Sequence, residues 1–388
     1  MKVLITPMSA MAETGGPFSR ARALALELVR QGHEAAFCAG EDVNYKPVEG
    51  IHNYPAPVPS PLGLPGFIGK RLFRMAQKTG AQQSKAVHSF EEVLLFAGAL
   101  AGKYIQADVQ CVRNAINTFN PDILYSEFRL TPLIAARMEG IRAVTGYSYP
   151  VQKSHACDPQ FSGALRAFIR DNKLPPIESA LELFDWAELK IIPSCHELEP
   201  VDDPKAVFTG PLMKTGEAHP EAYEKRNAIV CYMGSGTIAP EKALKVLQEA
   251  FAASRYEVYI ASQHLRPTDE GNIHTAPRYD FNTLLPRAIA FINHGGQNSI
   301  MSGILHGAPQ IVCPGKVFER KYNAASAAST GTGVCIETDR FDATTIASIV
   351  KGFETDRGYE ERMAQLRTIL LGQGGAEKAV RKMQGLTG

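Results

Sequence analysis

Between Phe291 and Asn323 the chain reads FINHGGQNSIMSGILHGAPQIVCPGKVFERKYN. An apolar run over 288–293 meets His294-Gly295-Gly296, and Gln297-Asn298-Ser299 then opens a helical stretch. A strand that ends at a helix N-terminus presents amides with no intrahelical acceptor and the positive end of the helix dipole. That combination favours an anion, phosphate above all. His294 can add a hydrogen bond or a charge there, and Asn298 and Ser299 can add neutral donors. Gly234-Ser235-Gly236 follows another apolar run and precedes another helical stretch. Either turn alone needs only small residues, but two of them can grip one diphosphate from both sides. Downstream, Glu319-Arg320 sets a carboxylate beside a guanidinium, which by itself is a plain surface ion pair.

The elements that must position these groups alternate in period. Strand-like runs over 2–6, 34–38, 123–126, 143–147 and 189–193 are interleaved with helical periods over 20–31, 84–118, 130–139 and 181–188. The Pro- and Gly-rich stretch 55–69 reads as a covering loop, and 200–226 as a linker. The pattern then restarts with strands over 228–233, 257–261, 288–293 and 310–313, a short strand near Ile273, a helix over 240–254 and a terminal helix over 359–383. The fold class is therefore α/β, with two Rossmann-like, doubly wound halves. Ligands in such sheets bind at the C-terminal ends of strands, where both glycine turns fall.

A chain of 388 residues suggests about two domains. A formal net charge of +1 gives no global field for nucleic acid or an anionic membrane. No apolar run approaches the ~20 residues that span a bilayer, and MKVLITPMSA reads as a first strand rather than a signal peptide. The seven cysteines show neither CxxC nor zinc-ligand spacing, which suits free thiols in a cytoplasmic protein. There is no Asp-x-Asp, so no metal ligand is expected.

The second half resembles the UDP-glycosyltransferase superfamily, nucleotide-sugar transferases with two Rossmann domains. The residues that carry the resemblance are His294-Gly295-Gly296, Asn298-Ser299, Gly307-Ala308-Pro309, and Glu319-Arg320 before Asn323-Ala324. It extends over the whole chain in layout. It implies two domains facing each other across a cleft (GT-B): 1–210 for the acceptor, 211–365 for the nucleotide sugar, and a helix over 366–388 packing back toward the first. It also implies that His294, Gly295, Gly296, Asn298 and Ser299 hold donor phosphate, that Gly234 and Ser235 hold the distal phosphate, and that Glu319 reads the sugar. Tyr279 or Phe281 would stack on the nucleobase.

Three positions depart from the family pattern. Arg320 replaces the usual Gln. Ser302 stands where many members hold ribose with a Glu, which leaves uridine, thymidine and other carriers open. Pro17 stands where the family has its catalytic His. Glu127 occupies the place of the acidic residue that supports that base; with its pKa raised by burial it could take the acceptor's proton itself. Glu13 and His155 are rivals.

The reaction implied is inverting, metal-independent transfer of a sugar from a UDP- or TDP-sugar to a hydroxyl or amine of a small, fairly apolar or lipid-like acceptor. The nucleoside diphosphate sugar is a co-substrate, and no cofactor is expected. Backbone amides, His294, Ser235 and Arg320 would stabilise the leaving diphosphate. The acceptor would lie against 55–69, 84–104 and 148–162, whose rings include Phe67, Phe73, Phe90, Phe96, Tyr149 and Phe161. A homodimer is compatible with this reading. Two other classes stay open: a nucleotide-sugar epimerase on the same scaffold, and a non-catalytic nucleotide-binding or activator homologue, which Pro17 keeps alive.

Overall fold

The computed structural model describes residues 1–9, 15–64, 86–213, 226–234, 237–356 and 358–387. Two compact units form. The first takes its described residues from Met1–Met75, Val87–Lys214 and Leu370–Gly388, the second from Ala76–Ala86 and Thr215–Ile369.

The first unit holds a parallel sheet in the order β3-β2-β1-β4-β5-β6-β7. Its strands are β1 (Lys2–Pro7), β2 (Glu34–Phe37), β3 (His52–Asn53), β4 (Ile123–Glu127), β5 (Arg142–Gly146), β6 (Leu189–Ile192) and β7 (Ala206–Phe208). Strand order reverses between β1 and β4, the position at which doubly wound sheets open a crevice. Helix α1 (Gly15–Arg30) buries Phe18, Leu24 and Leu28 against this sheet. The last helix of the chain, Gly375–Thr387, adds Ala379, Val380 and Met383 to the same core.

The second unit repeats the plan in the order β10-β11-β9-β8-β12-β13-β14. Here β8 is Ala228–Tyr232, β9 Glu257–Ala261, β10 Thr268–Glu270, β11 Ile273–Ala276, β12 Ala288–Asn293, β13 Gln310–Val312 and β14 Gly333–Cys335. Only β10 runs antiparallel, at the edge. The reversal lies between β8 and β12, which pair directly. β12 is buried along its whole length, as a parallel strand covered on both faces must be.

The expected α/β class and doubly wound halves are what the structure shows, with local corrections. The helical stretch expected over 84–118 is, among its described residues, two helices: α2 (Phe90–Ala97) and α3 (Gly102–Phe119). Gly98 separates them at φ +84°, and a Cβ there would lie 1.8 Å from the Ser60 carbonyl oxygen. The helix expected over 181–188 is a 3-10 turn, Ala180–Trp186, capped by Ser179. The stretch read as a linker contains β7. Among the described residues no helix is long and apolar enough to cross a membrane.

The antiparallel edge carries a titrating clamp. His274 on β11 lies 2.8 Å from Glu257 through Nε2 and hydrogen-bonds Asp269 through Nδ1. Burial lowers its pKa, but the bonds to Glu257 and Asp269 outweigh burial and the net shift is upward. The clamp therefore adds stability below the unfolded His value, about 6.5, and loses it as pH rises through the raised folded value. Denaturant unfolding at about pH 5.5 and 8.5 is expected to show a difference of up to ~1 kcal/mol that His274→Ala abolishes.

Candidate functional site

Gly234 and the turn His294-Gly295-Gly296 sit at the strand-order reversal of the second unit. Gly234 follows β8, and His294-Gly295-Gly296 joins β12 to helix α7 (Gln297–Leu305). The loop is held from below by two buried amides. Asn293 Oδ1 accepts the Gly295 N–H at 2.9 Å, while Asn293 Nδ2 donates to Gln310 Oε1 at 3.0 Å. Asn323 Nδ2 donates to the Gly295 carbonyl at 2.8 Å. Gly295 needs to be glycine: its φ is +82°, and a Cβ would stand 2.9 Å from the Arg320 carbonyl oxygen and 3.1 Å from Val312 Cγ1. Its amide is spent on Asn293, so its role is conformational. The Gly296 carbonyl accepts from Ser299 and Ile300 N–H, so the helix ladder of α7 starts at this turn and its positive dipole end faces it.

The imidazole of His294 is clasped by the two turns. A Cβ on Gly234 would come 2.8 Å from its Cε1, and a Cβ on Gly296 2.8 Å from its Nε2. Its ring stands edge-on to Tyr232 at 5.5 Å, with Nδ1 at 3.5 Å from the Tyr232 carbonyl oxygen. Burial, then the Arg320 charge, push its pKa down to about 3. Of the two roles the sequence allowed, a hydrogen bond or a charge, the ring is thus set up for the first.

The positive charge comes from Arg320. It lies in the first turn of helix α8 (Phe318–Ser329), and its Nη1 donates to Thr237 Oγ1 at 3.2 Å, tying α8 to the turn after β8. Burial lowers its pKa from the ordinary guanidinium value; an arginine remains charged at physiological pH all the same. Glu319, its neighbour, is exposed. Ser299 and Ser302 are buried on α7, and Asn298 is half-buried. Ser235 lies outside the described residues.

The two expected base-stacking rings differ in placement. Phe281 contacts Tyr232 and Phe291, each at 5.6 Å. Through Tyr232 it belongs to the same aromatic row as His294. Tyr279 meets Tyr259 edge-on at 5.5 Å. The structure therefore brings together Gly234, His294, Gly295, Gly296 and Arg320, with Phe281 one ring away. Tyr232, Thr237, Asn293 and Asn323 complete the group; sequence reasoning assigned them no role. A polar Asn closing a fully apolar strand was the signal for Asn293.

In the first unit, Glu127 ends β4 with its side chain fully buried. Oε1 accepts from Arg20 Nε at 2.6 Å, and Oε2 accepts from the Tyr125 hydroxyl. Gly146 leaves room for it, since a Cβ there would sit 2.6 Å from Oε2. Both oxygens are engaged, one by a guanidinium, so this geometry does not fit the proton-accepting role expected of Glu127. It fits a residue that anchors Arg20. Glu13 lies outside the described residues. His155 is exposed, with Nε2 2.6 Å from the Tyr149 carbonyl oxygen and its ring stacked on Tyr149.

Phe128, next to Glu127, holds φ +59°, an outlier for a bulky side chain. Phe90 and Phe184 pack edge-on against its ring, and Arg20 lies over it at 5.4 Å. A second buried ion pair follows: Arg129 Nε donates to Asp108 Oδ2 at 2.9 Å and Nη1 to the Cys38 carbonyl at 2.6 Å. Met8, Leu94, Leu100, Tyr104, Phe128 and Arg129 line a narrow recess at this end of β1 and β4. Of the rings expected there, Phe90 is core and Phe67 and Phe73 lie outside the described residues.

Residues 257–386 match the C-terminal domain of the erythromycin biosynthesis protein CIII-like family. The NDP-glycosyltransferase YjiC of Bacillus subtilis is 22% identical over 233 residues, 56% of this chain and 58% of that protein. The aclacinomycin-T 2-deoxy-L-fucose transferase of Streptomyces galilaeus is 24% identical over 147 residues, 38% of this chain and 32% of that protein. The chain thus spans between a third and three-fifths of these relatives. Among solved structures, the glycotransferase of kitacinnamycin superposes with a TM-score of 0.75 at 19% identity, covering 99% of this chain and 98% of the other. The calicheamicin glycosyltransferase CalG4 gives 0.74 at 15% identity, covering 99% and 97%. Residues 257–386 thus match that family's C-terminal domain, and the chain shares the fold of these glycosyltransferases.

Proposed function

We propose that the chain is a glycosyltransferase that moves a sugar from a nucleoside diphosphate sugar to a hydroxyl or amine of a small, fairly apolar acceptor. The observation that carries this reading is the clasped, neutral His294 beside Arg320 at the N-terminus of α7. A diphosphate placed there meets the N-terminal end of the helix dipole, the imidazole ring and one guanidinium, aimed at the charge that develops on the leaving group. Arg320 supplies charge that a metal ion would otherwise bring, so the reaction is metal-independent. It is a single displacement with inversion.

The nucleobase lies by Phe281 or Tyr279, the ribose by Ser302, the sugar by Glu319, the distal phosphate by Ser235, and the phosphate at the helix N-terminus by Asn298 and Ser299. Ser302 brings no carboxylate to the ribose, and a spinosyn rhamnosyltransferase and the glycosyltransferase VinC, both alike in fold, are described with thymidine diphosphate bound. TDP-sugars are therefore the first donors to test, with UDP-sugars second. The acceptor binds in the first unit, at the apolar recess that Tyr104 and Arg129 edge. In this assignment Glu127 positions Arg20 and β4 and does not exchange the proton.

The test is a melting screen with TDP, UDP and GDP, then product analysis. A nucleotide at 100 times its Kd stabilises the protein by about 2.7 kcal/mol, so TDP or UDP is expected to raise the melting temperature by several degrees. Incubation of the matching sugar nucleotide with apolar alcohols should yield glycoside and free diphosphate. An altered sugar nucleotide as sole product would mark an epimerase, and tight binding with no turnover an inactive homologue.

A further inference from the structure

A buried amide of the second unit supports the glycine turn from a distance. Gln310 opens β13, whose other residues are Ile311 and Val312, and all three are buried. A side-chain amide in such a core costs stability unless its groups are bonded. Both ends of Gln310 are engaged: Nε2 donates to the Ile300 carbonyl at 3.2 Å, and Oε1 accepts from Asn293 Nδ2 at 3.0 Å. Asn293 Oδ1 in turn accepts the Gly295 N–H at 2.9 Å. Three hydrogen bonds thus run from the start of α7, through β13 and the end of β12, to the turn.

Backbone groups fix the sense of this relay at both ends. The Gly295 N–H can only donate and the Ile300 carbonyl can only accept, so each side-chain amide has one orientation that satisfies its neighbours. Two glycines make room for it. A Cβ on Gly303 would stand 2.5 Å from Gln310 Cδ and 2.8 Å from Nε2. A Cβ on Gly333, the partner of Gln310 across the β13–β14 ladder, would stand 2.7 Å from the Gln310 carbonyl oxygen and 2.9 Å from its Cβ. Gly303 is not held at positive φ, and glycine weakens a helix interior. What it provides is the space that the Gln310 amide fills.

We propose that Gln310 is the positioning residue of the His294-Gly295-Gly296 turn, setting it against the start of α7 through Asn293. The inference rests on reading this turn as the diphosphate seat. Gln310 is fully buried, so it acts through the relay and not by contact with a ligand. Without it, Asn293 Nδ2 loses its acceptor and the Asn293 amide is free to turn from the Gly295 N–H. The bond from Asn323 to the Gly295 carbonyl remains, but it holds the turn from the α8 side only. The turn and the helix N-terminus then no longer present one fixed surface to a diphosphate, and binding weakens while the sheet beneath stays formed.

Two full-length variants test this. Gln310→Met keeps the length of the side chain and removes both polar ends. Gln310→Asn keeps the polar ends but is one methylene too short to span Ile300 and Asn293. Each is compared with wild type by amide hydrogen exchange read by peptide mass spectrometry, and by calorimetric titration with TDP and UDP. In both variants, exchange over 293–299 should speed up by about tenfold or more while β8 and β9 keep wild-type rates. Nucleotide affinity should fall by about 5- to 10-fold, the range of one lost hydrogen bond. Wild-type exchange and affinity in Gln310→Met would overturn the proposal, because space filling would then suffice. A rise in exchange spread evenly over the second unit would overturn it too, as a general loss of packing. If neither variant folds, wild type still decides: a Gly295 amide that exchanges at the unprotected rate has no such anchor. Wild type that binds neither nucleotide would overturn the reading of the site, and the exchange pattern by itself would then decide the relay.

Discussion

Glu127→Ala is expected to destabilise the first unit by about 3–5 kcal/mol, the usual cost of breaking a buried ion pair from one side. Arg20 and Glu127 are 8% and 0% exposed at their side chains. The truncation strips a buried guanidinium of its carboxylate and removes the acceptor of the Tyr125 hydroxyl. It also loosens Phe128, whose left-handed backbone is held by packing that includes Arg20. Glu127→Gln keeps the shape and an acceptor for Tyr125, so it should cost less than half as much. Urea unfolding of the three proteins measures this. If Glu127→Ala unfolded within about 0.5 kcal/mol of wild type, the range of an ordinary surface change, the anchoring role would be wrong.

The second large effect is predicted for Gly295→Ala. The backbone there holds φ +82°, and the added methyl meets the Arg320 carbonyl oxygen at 2.9 Å. That oxygen belongs to a helix and cannot give way as a flexible side chain can. Strain of this kind costs about 1–3 kcal/mol, and relieving it pulls the loop off Asn293 and Asn323. Nucleotide affinity is expected to fall by roughly 10- to 100-fold, which is about 1.4–2.8 kcal/mol. Gly352→Ala is the control. It lies exposed on the helix Ala343–Thr355 with nothing within 4 Å of a Cβ, and alanine there should leave binding unchanged and add up to ~1 kcal/mol of stability. Calorimetric titration with TDP or UDP, alongside melting curves, separates the two outcomes.

The repeated αβ layout was legible because central parallel strands are continuous apolar runs and helices carry their own period; β12 and α1 are examples. The break at Gly98 was not, since it answers to the Ser60 carbonyl oxygen, a neighbour far away in sequence. β7 was hidden for a related reason: three half-buried residues at a sheet edge have no alternation to read. In the site, the glycines and His294 announced themselves by type and spacing. Whether His294 is charged did not, because that depends on its burial and on Arg320. Glu127 shows the limit most clearly. Its place in the chain suggested a base, but Arg20, 107 residues earlier in sequence, decides its chemistry.

The central claim is that the N-terminus of α7, with neutral His294 and charged Arg320, binds the diphosphate of a nucleotide sugar. It is tested most directly by calorimetric titration of a TDP- or UDP-sugar into wild type, His294→Ala and Arg320→Ala at about pH 5.5, 6.5 and 7.5. The account predicts roughly 10-fold or greater weakening in each variant, the range of a lost hydrogen bond to a charged group. It also predicts a wild-type affinity that stays flat with pH, because the imidazole is neutral throughout. Unchanged affinity in both variants, or a wild-type affinity that drops about tenfold per pH unit above 6.5 as a required imidazolium deprotonates, would contradict it.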